Sequence, residues 1–150
     1  MYYSTKPVKT LLLFMKKTFL ILLVLFFSCS NKNKFEITDS KIFVSNENDT
    51  LKLNINCTAK GYKLDEFRGG YFSKLSFKID IKNPNGVIDT TVQHGVVDQV
   101  ARKGIIDSPI NTKYILPEKY TDGNYRVILK VTDEFSGEKL KLEKSFEIKR

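Results

Sequence analysis

A thiol at Cys57, a single imidazole at His94 and two pairs of adjacent carboxylates, Asp65-Glu66 and Asp133-Glu134, are the side chains of this 150-residue sequence whose types lend themselves to catalysis. A cysteine nucleophile needs a neighbouring base to raise its thiolate fraction, and histidine is the usual one. His94 stands in a segment with no other nucleophile-like signature. Cys57 is in phase with Leu51, Leu53 and Ile55, the pattern of a core strand, where a thiol is inert. Paired acids can bind calcium or exchange protons. Neighbours on a strand point to opposite faces, however, and no Asp-x-Asp-x-Asp-Gly loop is present. Asp133-Glu134 falls where a polar hairpin turn is expected, which puts both carboxylates in solvent. With no Gly-rich phosphate loop, no Ser-His-Asp arrangement and no metal-ligand spacing of Cys or His, the sequence reads as non-enzymatic, without cofactor or metal.

The segment from Gly61 to Lys74, Gly-Tyr-Lys-Leu-Asp-Glu-Phe-Arg-Gly-Gly-Tyr-Phe-Ser-Lys, points to binding instead. It reads as a long Gly-containing connection between two core strands, and such connections often carry function. Phe67, Arg68, Tyr71 and Phe72 are of the types that anchor interfaces or stack on sugar rings. Gly69 and Gly70 allow a sharp fold that presents Arg68 beside Tyr71. The competing reading is that the aromatics fold back over one end of the core, because Phe67 and Phe72 are costly to leave in water.

From Phe35 onward apolar and polar residues alternate with period two, and helical spacing is nearly absent, so the elements that position these residues are strands. Leu75, Phe77, Ile79 and Ile81 share one face, with Ser76, Lys78, Asp80 and Lys82 on the other. Asn83-Pro84-Asn85-Gly86 supplies a turn, and Val87 to Val92 returns as the partner strand. Tyr125, Val127, Leu129 and Val131 alternate in a strand that closes through Asp133 to Gly137 onto Lys139 to Lys149. There Leu140, Leu142, Phe146 and Ile148 keep one phase and Lys144 falls among them, which predicts a bulge or strand end. Gly95 to Gly104 fits a helical turn and a β-branched strand equally. Pro109 and Pro117 bracket a short strand, Asn111 to Leu116, at an edge. The sum is an all-β antiparallel β-sandwich spanning 35–150.

Ile81 to Gly86, Tyr114-Ile115-Leu116-Pro117, Asp122 to Val127 and the closing hairpin resemble the late strands of bacterial immunoglobulin-like and macroglobulin-like domains. The resemblance covers about half of the chain after Cys29 and implies that Tyr125 is a tyrosine corner, its ring in the core and its hydroxyl on nearby backbone. The cysteine pair and central Trp of antibody domains are missing. Such architectures host many functions and imply none.

The N-terminal part gives an address. Lys16 and Lys17 precede an uncharged apolar run, Phe19 to Phe27, and small Ser28 precedes Cys29, the layout of an export signal over 1–28. A spanning helix begun at Thr10 would carry both lysines near its middle, at about 2.5 to 3.5 kcal/mol each. The run after them covers only about 14 Å. Met15 is then the natural start, with 1–14 an upstream extension. Phe26-Phe27-Ser28-Cys29 resembles the signal of bacterial lipoproteins, which implies a diacylglyceryl thioether on Cys29, cleavage before it and acylation of its new amine. Several acyl chains on one residue give lasting membrane attachment. Residues 29–34 form the lipidated Cys and a polar tether, and its lack of acidic residues implies the periplasmic side of the outer membrane rather than the cell surface. Lys6, Lys9, Lys16 and Lys17 precede Cys29 and no acid does, so the net charge of +8 falls to +4 beyond the signal. That removes the case for a nucleic-acid partner. The expected role is a lipid-anchored module that binds an envelope protein, and the alternative is a glycan- or small-ligand-binding lipoprotein using 61–74.

Overall fold

The structure, a computed structural model, describes residues 34–102, 104 and 107–150. The signal segment, Cys29 and the tether up to residue 33 lie outside the described residues.

A run such as Leu51-Lys52-Leu53-Asn54-Ile55 can bury its apolar half only by extending and packing one face. Eight strands form in this way: β1 (Glu36–Glu47), β2 (Thr50–Lys60), β3 (Asp65–Phe67), β4 (Gly70–Lys82), β5 (Ile88–Ala101), β6 (Ser108–Ile115), β7 (Gly123–Asp133) and β8 (Lys139–Ile148). No helix occurs among the described residues. All pairings are antiparallel. One sheet runs β1-β2-β6 and the other joins β3, β4, β5, β7 and β8. Within the second, β5 follows one edge of β4 from Tyr71 to Lys82, so β7 and the short β3 share the opposite edge. The result is the expected all-β antiparallel sandwich.

The inner faces meet in one core built from Leu53, Ile55, Leu75, Ile79, Leu129 and their neighbours. Each such side chain, fully buried, contributes roughly 1.5 to 3 kcal/mol. Cys57 is among them, buried as its phase required. The Tyr125 ring is buried and stacks on Phe146 at 5.7 Å, while its hydroxyl donates to the Thr121 carbonyl at 3.0 Å, as a tyrosine corner does. In the expected turn after β4, the amide of Gly86 donates to the Asn83 carbonyl at 3.0 Å and that of Val87 to Asn83 Oδ1 at 2.8 Å.

One detail decides a reading left open and three correct the sequence reading. Gly95 lies inside β5 opposite Phe77, whose ring takes the space a side chain there would fill, so this segment is strand through Ala101 and not a helical turn. The edge strand β6 begins at Ser108, earlier than expected, and carries Pro109 within it. β8 has no bulge at Lys144, which pairs with Val127 in unbroken register. The irregularity lies across from it in β1, where the ladder shifts between Thr38 and Lys41 and Asp39 has a φ of 52°. The Lys144 ammonium reaches out of the core edge and donates to the Ser40 carbonyl at 2.6 Å, which explains a lysine in an apolar phase.

The last correction concerns Asp133, which is buried rather than solvated. Its carboxylate accepts the Phe135 amide at 3.0 Å and the Ser136 hydroxyl at 2.6 Å within the β7–β8 turn, and the Lys63 amide at 2.8 Å from the β2–β3 connection. One acid thus ties the turn to the segment that leads into β3. β1 begins, β2 ends and β4 begins at this end of the sandwich, while the turn after β4 and the end of β8 occupy the other.

Candidate functional site

The 61–74 connection is more ordered than its composition suggested. Tyr62 is buried, and beside it the Lys63–Asp133 bond fixes the departure from β2. Asp65–Phe67 then pairs with Gly70–Phe72 as a hairpin of two-residue turn, Phe67 opposite Gly70. Arg68 and Gly69 make that turn with φ of 52° and 76°, the left-handed pair that matches strand twist. The strain of a non-glycine residue there falls on Arg68, and Gly70 is an ordinary strand residue.

The four expected binding residues divide accordingly. Opposite residues of a ladder share a face, so Phe67, Phe72 and β5's Val100, which is opposite Phe72, all point outward from the five-stranded sheet. Phe67 and Phe72 meet edge to face at 6.5 Å, and the Arg68 guanidinium lies over the Phe67 ring at 5.0 Å. Phe67 is 59% exposed, and on the same face Val96 and Val100 are 55% and 69% exposed. Tyr71 faces the other way, in phase with Leu75, and its ring lies against Gly104. The expected pairing of Arg68 with Tyr71 is therefore replaced by Arg68 on Phe67. Tyr62, not Phe67, is the aromatic of this connection that joins the core.

Cys57 and His94 cannot act together. The thiol is 3% exposed, and burial pushes it up to about 11, while His94 is on the outer face of β5, opposite Lys78. Among the described residues no group of three His, Cys, Asp or Glu side chains could hold a metal ion. The acids that are shifted are structural. Burial raises the Asp80 carboxyl, but the Lys130 ammonium at 2.6 Å and the Thr91 amide at 2.7 Å outweigh it and hold the group below the usual carboxylate range. Thr91, with a φ of 52°, sits where the β4–β5 register shifts, so this outward-facing carboxylate fastens a bulge. Asp89, at the far end of the sandwich, is lowered by Lys119 at 2.8 Å and by the Tyr120 hydroxyl at 2.6 Å.

The sequence reading missed Val96 and Val100 as parts of the exposed face, because their side was undecided while 95–104 had two readings. It also missed the anchoring role of Asp133, whose third donor, Lys63, is 70 residues away. No protein-family model matches the chain, and a search of curated proteins returns no match.

Proposed function

We propose that this chain is a lipid-anchored, non-enzymatic interaction module of the cell envelope, attached through Cys29 on the periplasmic side of the outer membrane, and that the β3–β4 hairpin is its contact surface for a protein partner. The observation that carries this reading is Phe67, an aromatic ring 59% exposed at a hairpin tip with an arginine stacked on it. A monomer gains nothing from leaving that ring in water, whereas aromatic and arginine anchors dominate binding energy at protein interfaces. Phe72, Val96 and Val100 extend the apolar surface beside it. A sugar needs a free, flat ring face, and here Arg68 covers one face of Phe67 while Phe72 meets it at 60°. Protein contact is favoured over glycan stacking at this site for that reason.

The test compares Phe67→Ala and Arg68→Ala with the parent chain by cross-linking and affinity capture from membranes. Each variant should lose a stoichiometric protein partner by roughly thirtyfold, about 2 kcal/mol, with stability changed by no more than about 0.5 kcal/mol, as for surface substitutions generally. Cys29→Ser should abolish fatty-acid labelling and release the protein or leave it uncut. Unchanged capture by both folded hairpin variants would sink the interaction reading, and persistent labelling of the Cys29 variant would sink the anchor.

A further inference from the structure

The register of the five-stranded sheet brings together cations that are far apart in sequence. His94 on β5 is opposite Lys78 on β4, Lys78 is opposite Lys130 on β7, and Lys130 is opposite Lys141 on β8. Four adjacent strands therefore place an imidazole and three ammonium groups in one lateral row on the outer face. With strands about 4.8 Å apart, the backbone from Lys78 to Lys141 spans only about 10 Å. In the next row Thr132 of β7 is opposite Lys139 of β8, adding a fourth ammonium.

Like charges directly opposite on a sheet repel, and the acids Asp80 and Glu143 on this face offset only part of the row. Two of these lysines are compensated: Lys130 by Asp80 at 2.6 Å and Lys141 by Glu143 at 2.5 Å. Lys78 and Lys139 make no ion pair among the described residues. The nearby acid Glu134 is engaged by the Ser76 hydroxyl. Lys78, Lys130, Lys139 and Lys141 line a groove of about 500 Å³, within the range of ligand sites, together with the hydroxyl-bearing residues Thr90, Thr91 and Thr132. Asp80 lies at the groove with its carboxylate turned to Lys130 and the Thr91 amide.

We propose that this groove binds an acidic glycan, its carboxylates held by Lys78 and Lys139 and its ring hydroxyls by the threonines. An acidic peptide fits less well, because the groove crosses strands whose backbone groups are already paired in ladders, leaving no edge to extend. The site is separate from the hairpin and does not depend on the hairpin's partner or on the anchor.

Titration calorimetry of the intact protein with an oligogalacturonate tests it, with neutral dextran, poly-glutamate and phosphatidylglycerol vesicles as the other arms. Oligogalacturonate should bind and dextran should not. Lys78→Gln combined with Lys139→Gln should weaken binding at least tenfold while the melting temperature stays the same or rises, since a repulsion is removed; a purely structural lysine face predicts no such combination. Poly-glutamate binding as tightly as the glycan would mean that the groove reads charge alone and would overturn the assignment. Binding to vesicles but not to the glycan would overturn it in favour of a membrane surface, and so would unchanged glycan binding by the double variant in favour of a solvated face.

Discussion

Replacing Asp133 with alanine should cost this domain about 3 kcal/mol, and the figure follows from which of its three donors can find water afterwards. The Ser136 hydroxyl is exposed and rotates to solvent, so its 2.6 Å bond contributes little on removal. The amides of Lys63 and Phe135, at 2.8 Å and 3.0 Å, cannot rotate. Each gives up a hydrogen bond to a charged acceptor, worth roughly 1.5 kcal/mol at the lower end of its range. Asparagine keeps one carbonyl oxygen and the volume, so Asp133→Asn should cost about half as much, and Ser136→Ala under about 0.5 kcal/mol. With no tryptophan in the chain, urea unfolding is followed by far-ultraviolet circular dichroism, read as a shift in midpoint at constant slope. A loss of 3 kcal/mol in a domain of this size lowers the melting temperature by about 12 °C. Hydrogen exchange at the Lys63 amide should speed up in both Asp133 variants. A loss under about 1 kcal/mol in Asp133→Ala, or a Ser136→Ala effect as large as that of Asp133→Asn, would refute the reasoning.

Two further outcomes are expected. Cys57 should resist a thiol-alkylating reagent at pH 8 in the folded protein and react on addition of urea, because a thiol at about 11 inside the core is almost wholly protonated and shielded; rapid labelling of native protein would contradict its burial. Asp80 is depressed in the folded state relative to its unfolded value near 3.9, so the stability it contributes is present above that value and is lost as pH falls through its folded value. Asp80→Asn should therefore flatten the fall in urea midpoint between about pH 5 and pH 2, and an unaltered acid limb would show that Lys130 and Thr91 do not hold the charge.

The strands were legible because their apolar residues alternate locally: Leu75 to Ile81 and Tyr125 to Val131 needed no partner to be read, and Cys57 and Tyr125 fell where their phase put them. Gly95 to Gly104 was not legible, since Val96, Val97 and Val100 satisfy both periods, and only the Phe77 ring above Gly95 decides between them. Lys144 and Asp133 misled for a related reason. A lysine in an apolar phase implies a fault in its own strand, and an acid in a turn implies solvent, unless a distant group reaches it, as the Ser40 carbonyl and the Lys63 amide do. At the hairpin the residues were readable and their directions were not. The positive φ fell on Arg68 as well as Gly69, which turned the guanidinium onto Phe67 and left Tyr71 on the opposite face. The lysine row is the extreme case, for each member is an unremarkable outward residue until the register aligns four strands.

The placement of the two ends of the domain has a mechanical consequence. β1 enters at the hairpin end and β8 leaves at the other, so tension between the start of β1 and Arg150 acts along the strand axes. Ladder hydrogen bonds lie across those axes, and β1 against β2, like β8 against β7, is therefore loaded in shear, with all rungs sharing the force at once. A pull applied instead across the β3–β4 hairpin would peel its few rungs one after another. The sandwich is thus stiff toward a load passed from one end of the chain to the other and compliant at the hairpin tip, a directional resistance that single-molecule stretching through the termini, compared with stretching through residue 68, would measure as two different unfolding forces.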